Sequence, residues 1–277
     1  MLCIAPYKPG KPGIEYGCGQ CMPCRINRKR MWTARLMLES SSVYDSRFVT
    51  LTYDPAELPT TDNGLPELRP DHLRKLTKDL RRLYGPFRYY FVGEYGDRTF
   101  RPHYHGILFS SSIDADQLTR VWDKGNCQVG NISIEGCAYV AGYCTKKMTG
   151  SEDPRLKGRH PEFARMSNRP GIGVLGIEGV VNWMRTPDGN DYIARTADVV
   201  KSIRINGKVY PLGNYITRYL REQMGVDPHS YARFTVKQAE IEARGAPELS
   251  QLRDMQREGS YQRGMAMASL RRSLQTL

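Results

Sequence analysis

Two hydrophobic periods divide the first half of the chain into elements. Leu73, Leu76, Leu80 and Leu83 recur at helical spacing and predict a helix from Pro70-Asp71 to Tyr84, with Gly85-Pro86 as its stop. Its opposite face carries Arg74, Lys75, Lys78, Arg81 and Arg82. β-Branched and aromatic residues predict strands over Arg47–Tyr53, Phe87–Glu94, His103–Ser110 and Asn126–Ile134. Asp54-Pro55 ends the first strand, and an irregular loop leads on to Arg69. Gly96 and Asp97 supply turn chemistry between the second and third strands. Helices are expected from Arg25 to about Ser40, with Leu36 and Met37 as packing residues, over Asp114–Trp122, and over Gly136–Lys147 despite Gly142. Past Thr149 the pattern weakens, and the chain is rich in Gly, Pro and Arg up to Val181. Lys201–Tyr210 reads as a hairpin with an Asn-Gly turn, Tyr215–Gln223 and Val236–Arg244 as helices, and Leu249–Leu277 as a basic helical tail.

The order strand, helix, strand, strand, helix, strand, helix implies an α+β fold: a βαββαβ core whose antiparallel sheet is covered by helices on one face. Three segments follow: residues 1–45 as a cysteine-rich knuckle and basic helix, 46–150 as the core, and 151–277 as a basic C-terminal region.

Charge narrows the partners. Of 277 residues, 41 are Lys or Arg and 29 are Asp or Glu, a formal net charge of +12, which points to a polyanion such as nucleic acid or anionic lipid. No apolar run is long enough to span a membrane, and Met1–Gly10 lacks the apolar core of a signal peptide, so the expected location is the cytoplasm in which the chain is made. Seven cysteines, an odd number, argue against a secreted disulfide scaffold.

Three constellations carry candidate chemistry. His103 and His105 are two apart on a strand, so they face the same side about 7 Å apart. An antiparallel partner strand would bring Glu94 to them, and two imidazoles with one carboxylate suit a divalent cation with open positions. The bland reading is one surface histidine and one satisfied core histidine. Cys3, with the Cys-x-x-Cys-x-x-Cys run of Cys18, Cys21 and Cys24, forms a set that would complete a tetrahedral zinc site; an iron–sulfur cluster or ordinary free thiols are the alternatives. The helix that follows opens with Arg25, Arg28, Lys29 and Arg30, with Trp32 interleaved, and is either a solvated face or a phosphate-contacting one. Finally, Tyr139 and Tyr143 share a helix face one turn before Lys146 and Lys147. Such a pair is commonly core packing, but beside cations in a basic protein it also suits work at a phosphate.

His103-Tyr104-His105 resembles the His-hydrophobe-His signature of the HUH endonucleases, and Tyr139–Tyr143 with the following lysines resembles that superfamily's tyrosine motif in its two-tyrosine form. Phe48–Tyr53 resembles its first motif, and the three occur in the family's order between Arg47 and Lys147. With the cysteine-rich opening, the chain looks most similar to the replication initiators of the single-stranded DNA microviruses, the gokushovirus branch in particular. The resemblance implies Mg²⁺ or Mn²⁺ held by Glu94, His103 and His105, attack by Tyr139 or Tyr143, and charge stabilisation by Lys146 or Lys147. It also implies DNA contacts at Thr50 and Thr52, a viral single-stranded origin as substrate, and a host helicase and polymerase as partners. Oligomeric state stays open. A non-catalytic zinc-knuckle nucleic-acid-binding protein, or a related HUH transposase or relaxase, are the competing readings.

Overall fold

A computed structural model describes residues 2–8, 15–109, 113–143, 152–227, 255–259, 261–263 and 265–266. The chain divides into two compact units, Arg35–Gly176 and Met1–Ala34 with Ile177–Leu277.

The unit from Arg35 to Gly176 is built on five antiparallel strands in the order β4-β1-β3-β2-β5. In chain order these are β1 (Ser46–Thr52), β2 (Arg88–Tyr95), β3 (Pro102–Phe109), β4 (Cys127–Asn131) and β5 (Phe163–Met166). The first four match the expected strands to within a few residues. β5 is an addition at the edge: it pairs with β2 over Tyr90–Gly93, and its four residues give too short a pattern to read from sequence. Helix α2 (Pro70–Tyr84) connects β1 to β2, and α3 (Ala115–Trp122) connects β3 to β4. α3 opens with a full capping box between Asp114 and Gln117.

The two faces of the sheet are covered differently. Val49, Leu51 and Tyr53 of β1, Tyr104 and Leu108 of β3, and Phe91 and Tyr95 of β2 pack with Leu73, Leu76 and Leu80 of α2 and with Leu118 and Trp122 of α3. Leu83, expected in that stripe, is 51% exposed, because the helix turns it away in its last turn. The intervening residues point to the other face, where α4 (Ile134–Tyr143) lies against Phe48 and His105. The second half of α1 (Met22–Ser41) serves the same unit: buried Glu39 pairs with Arg88 and accepts the Gly173 amide at 2.6 Å. Helices therefore lie on both faces of the sheet, not on one as the strand–helix order predicted. The βαββαβ pattern places only α2 and α3; α4 follows it and takes the remaining face.

Gly106 of β3 permits the closest approach in the sheet. A Cβ there would lie 2.3 Å from the Phe91 ring, so any side chain would expel that ring.

The other unit contains the N-terminal part of α1, α5 (Glu178–Met184), α6 (Pro187–Thr196), the hairpin β6 (Ser202–Ile205)–β7 (Lys208–Pro211), and α7 (Gly213–Met224). The hairpin turns at Asn206 and Gly207, both with positive φ, as an Asn-Gly turn requires. Buried Asp198 receives a two-point contact from Arg221 of α7 at 2.7 and 2.8 Å. α5 and α6 lie in the stretch whose Gly, Pro and Arg content hid them. The expected helix over Val236–Arg244 and most of the Leu249–Leu277 tail lie outside the described residues. No helix among the described residues is long and apolar enough to cross a membrane.

Candidate active site and cysteine cluster

Register builds the first site. β3 is the central strand, paired with β1 on one side and β2 on the other. His103 sits opposite Glu94 of β2 and Thr52 of β1; His105 sits opposite Val92 and Thr50. The period of two aims both imidazoles at the α4 face, nearly parallel, with ring centroids 6.4 Å apart. Glu94 is buried and its Oε1 lies 3.0 Å from His105 Nε2. On the other side of the ring, His105 Nδ1 meets the Thr50 hydroxyl at 3.0 Å. Phe48, two residues before Thr50, packs its ring against both His105 and Tyr139.

α4 brings the tyrosines. The Tyr139 ring stands edge-on to His105, at 87° and 5.1 Å between centroids, with its hydroxyl 3.4 Å from Nε2. Tyr143 stacks nearly parallel on His105 at 5.7 Å and meets Tyr139 edge-on at 5.0 Å. The two differ in access: Tyr139 is 39% exposed and Tyr143 is 8% exposed. Burial, with the charge of Glu94 second, pushes the Tyr143 phenol well above its ordinary range; Glu94 and Tyr139 also hydrogen-bond to it. Burial is likewise the largest influence on His103 and lowers its pKa against the opposing pull of Glu94, which favours the neutral imidazole a metal requires.

The donor set fits a divalent cation in kind. Two imidazoles and a carboxylate share one face, and Thr50 holds Nδ1 of His105 so that Nε2 is the nitrogen presented to the site. In the arrangement seen here Nε2 is engaged with Glu94. Among the described residues only the cysteine cluster brings three or more potential ligand atoms all within 4.8 Å of one another. Thr52 donates its hydroxyl to the Asn126 carbonyl at 3.2 Å. Lys146 and Lys147 lie outside the described residues. Phe48 and the orienting contact of Thr50 went unread in the sequence, although alternation in β1 puts both residues on the histidine face.

The cysteine cluster belongs to the other unit. Cys3, Cys18, Cys21 and Cys24 bring their sulfurs within 4.8 Å of one another, although the first lies fifteen residues from the second. Cys3 Sγ and Cys21 Sγ are 3.8 Å apart, the spacing expected between two corners of a tetrahedron whose metal–sulfur bonds are about 2.3 Å. Backbone amides hold the sulfurs in place: Cys18 N–H donates to Cys3 Sγ at 3.2 Å and Cys21 N–H to Cys18 Sγ at 3.4 Å. The amides of Cys21 and Gln20 bring the Cys18 thiol down to about 6, whereas burial raises Cys3 and pushes Cys24 up to about 12. Four thiols thus stand in a geometry that suits a metal ion such as zinc. Cys127 and Cys137 are buried singly, with thiols pushed up to about 11 and about 12 by burial, and take no part.

The basic residues after the cluster part ways. Arg28 is exposed and its guanidinium lies beside Gly19 of the knuckle, while Arg30 donates to the Val209 carbonyl. Arg25 and Lys29 are half-buried on the same helix. Arg35, in the second half of α1, is buried and donates to the Ile172 carbonyl at 2.8 Å.

Comparison with known proteins places this architecture. The sequence profile of the replication-associated protein ORF2 family matches residues 46–148, from the start of β1 past the end of α4. The chain is 31% identical over 218 residues to the replication-associated protein VP4 of Bdellovibrio phage phiMH2K, covering 64% of this chain and 68% of that protein. It is 32% identical over 179 residues to the replication-associated protein ORF2 of Spiroplasma virus 4, and 25% identical over 236 residues to the replication-associated protein ORF4 of Chlamydia phage 1. Those two alignments cover 57% and 76% of this chain but only 55% and 54% of the relatives. No solved structure matches significantly. With the profile spanning the sheet and its tyrosine helix, and a relative matched over two thirds of its length, the chain belongs to the replication-associated protein ORF2 family, alongside proteins of small bacteriophages.

Proposed function

We propose that this chain is an HUH-type endonuclease that nicks single-stranded viral DNA at its replication origin and later rejoins it. One observation carries the reading: an accessible tyrosine hydroxyl, that of Tyr139, lies 3.4 Å from an imidazole which itself contacts a buried carboxylate. Nucleophile and metal-type donors thus share one face of one sheet.

The Tyr139 oxygen attacks phosphorus in line. The bond from phosphorus to the 3′ oxygen breaks, the phenol proton passes to solvent, and the departing oxygen takes up a proton. The products are a 5′-phosphotyrosine and a free 3′-hydroxyl. A Mg²⁺ or Mn²⁺ ion held by Glu94, His103 and His105 would supply Lewis-acid polarisation of the phosphate. Lys146 and Lys147 follow the tyrosines in sequence and would offset charge gathering on the phosphate oxygens. Tyr143, buried against His105, acts second, once linkage of Tyr139 to DNA has drawn the first ring away. The reverse reaction, a 3′-hydroxyl displacing tyrosine, closes the circle without ATP, because the phosphotyrosine retains the bond energy. A host helicase and polymerase would extend the new 3′ end. Arg25, Arg28, Lys29 and Thr50 are offered as contacts to DNA.

The test is incubation of the full chain with circular single-stranded viral DNA and Mn²⁺, followed by mass spectrometry of DNA-linked peptides. The expected adduct is on the peptide carrying Tyr139. Binding without any adduct would leave the alternative, a non-catalytic knuckle protein.

The four cysteines hold a structural zinc ion in this reading, which accounts for their convergence across fifteen residues of intervening chain. Protein purified without added metal should contain one zinc per chain by elemental analysis. Metal-free protein with four freely titrating thiols in Cys3–Cys24 would refute the zinc assignment.

A further inference from the structure

Beside the cysteine cluster stands a pair of aromatic rings that the site described above does not use. Tyr7 and Tyr16 are 66% and 56% exposed, although large apolar surfaces are ordinarily covered unless they serve a partner. Their backbones are locked together: Tyr7 N–H donates to the Tyr16 carbonyl at 2.8 Å, and Tyr16 N–H returns the bond at 2.9 Å. The pairing stacks the rings 26° from parallel with centroids 6.5 Å apart. That distance is near the long end of the 4.5–7 Å range for aromatic pairs, so neither ring fully covers the other. The pair is therefore held by main chain, and both rings stay available.

Its surroundings are basic where they are charged. Lys8 adjoins Tyr7 and is 63% exposed; Arg28 is exposed at Gly19 of the same knuckle. The one carboxylate beside the pair, Glu15, is engaged by Lys8 at 3.6 Å and by Arg257 at 2.6 Å. Tyr16 lies two residues from Cys18, whose amide and sulfur are tied to the cluster. A rigid pair of exposed rings beside cations has the two parts that single-strand recognition needs: a π surface for bases and positive charge for the backbone.

We propose that Tyr7 and Tyr16 form a base-stacking platform for single-stranded DNA on the cysteine knuckle. The ligand class is an unpaired strand with accessible base faces, read by stacking and without sequence preference. A duplex, whose bases are already stacked on each other, would not satisfy it. This binding is separate from the nicking chemistry and needs neither Tyr139 nor a divalent cation.

The test uses the full chain, with no divalent salt and no chelator, so that metal held by the cysteines stays in place. Fluorescence anisotropy is followed with a 15-nucleotide oligo-dT and with an oligonucleotide of the same length made of abasic residues. Wild type should prefer oligo-dT. Tyr7→Ala/Tyr16→Ala should lose about tenfold or more in oligo-dT affinity, since stacking is worth roughly 1–3 kcal/mol per base, and should bind the abasic strand as wild type does. Tyr7→Phe/Tyr16→Phe should retain the preference, because the ring and not the hydroxyl does the stacking. Three results would overturn the proposal: unchanged oligo-dT binding by the double alanine variant, equal loss on both strands, or a phenylalanine variant as weak as the alanine one. Nicking is scored separately on circular DNA. A chain that stacks oligo-dT but never forms an adduct sinks the endonuclease reading alone, and a chain that nicks with the platform neutral to substitution sinks this one alone.

Discussion

β1 and β3 each contribute to two tyrosine–histidine clusters, one on either face of the sheet. On the α2/α3 face, the Tyr53 hydroxyl lies 2.7 Å from His72 Nδ1 and 2.9 Å from the Tyr104 hydroxyl, which in turn accepts the Arg69 amide at 2.8 Å. Trp122 closes the group with its ring on Tyr53, His72 and Tyr104. On the α4 face stand Thr50, His105, Glu94, Tyr139 and Tyr143. Residue types are nearly the same, and Tyr104 lies between the two site histidines in sequence. What differs is closure. Tyr53 and Tyr104 are 3% and 0% exposed, and burial raises both phenols, Tyr104 to about 12. A hydroxyl so held is a structural strut. The other cluster adds a carboxylate and leaves Tyr139 open to a substrate. Chemistry follows access and charge, not the residue list.

Four substitutions sharpen that contrast. The largest effect should come from His103→Ala/His105→Ala, which removes two proposed ligands from partly covered positions: nicking should fall by about 10³-fold or more, on the order of the several kcal/mol a Lewis acid supplies. Persistent cleavage by this variant in EDTA would remove the metal from the mechanism. Next, Tyr139→Phe should lower the first nick by about a hundredfold or more while Tyr143→Phe lowers it by about tenfold or less, since only Tyr139 is accessible. Tyr143→Phe should still fail to release closed circles. Adduct and circular product resolved on one gel check both statements, and equal first-nick rates would abolish the distinction in access.

On the closed cluster the same kind of change should act on stability alone. Tyr53→Phe leaves His72 Nδ1 and the Tyr104 hydroxyl without a buried partner, so urea denaturation should report a loss of about 1–3 kcal/mol with nicking per folded molecule unchanged. The smallest effect is on pH dependence. Burial lowers the pKa of His72 below its ordinary 6.5, so the folded protein binds this proton less readily than the unfolded chain. The stability associated with neutral His72 is therefore complete above about pH 6.5 and declines as pH falls from there through the lowered folded value. The wild-type urea midpoint should drop more steeply than that of His72→Phe across this interval. Parallel curves would mean that His72 titrates alike in both states.

Much of the site was legible because its signals are local. His103 and His105 had to share a face once β3 was read as a strand, and Tyr139 and Tyr143 had to share one once α4 was read as a helix. The antiparallel return that brings Glu94 opposite His103 was readable from the turn residues between β2 and β3. The Cys-x-x-Cys-x-x-Cys run likewise advertised a cluster before its geometry was known. The third segment was less readable: β5 has four residues, and α5 has seven, too few to establish a period. Arg35 shows another limit. It belongs by sequence to a run of basic residues, but burial in the fold makes it a donor to the Ile172 carbonyl.

The amino-acid sequence by itself determined the strand and helix periods, the facing of each paired residue, the basic character and the ligand types. These follow from backbone geometry and side-chain chemistry within a few residues. Only the tertiary structure decided that α4 would take the sheet face opposite α2 and α3, because both faces of a sheet with apolar residues on each side must be covered, and the local pattern does not say by which helix. That choice sets Tyr139 outward and Tyr143 inward against His105, so two tyrosines of one sequence motif differ in their access to a substrate. Likewise, no spacing rule joins Tyr7 to Tyr16; a pair of main-chain hydrogen bonds between residues nine apart does, and exposure of both rings is a property of the folded surface alone.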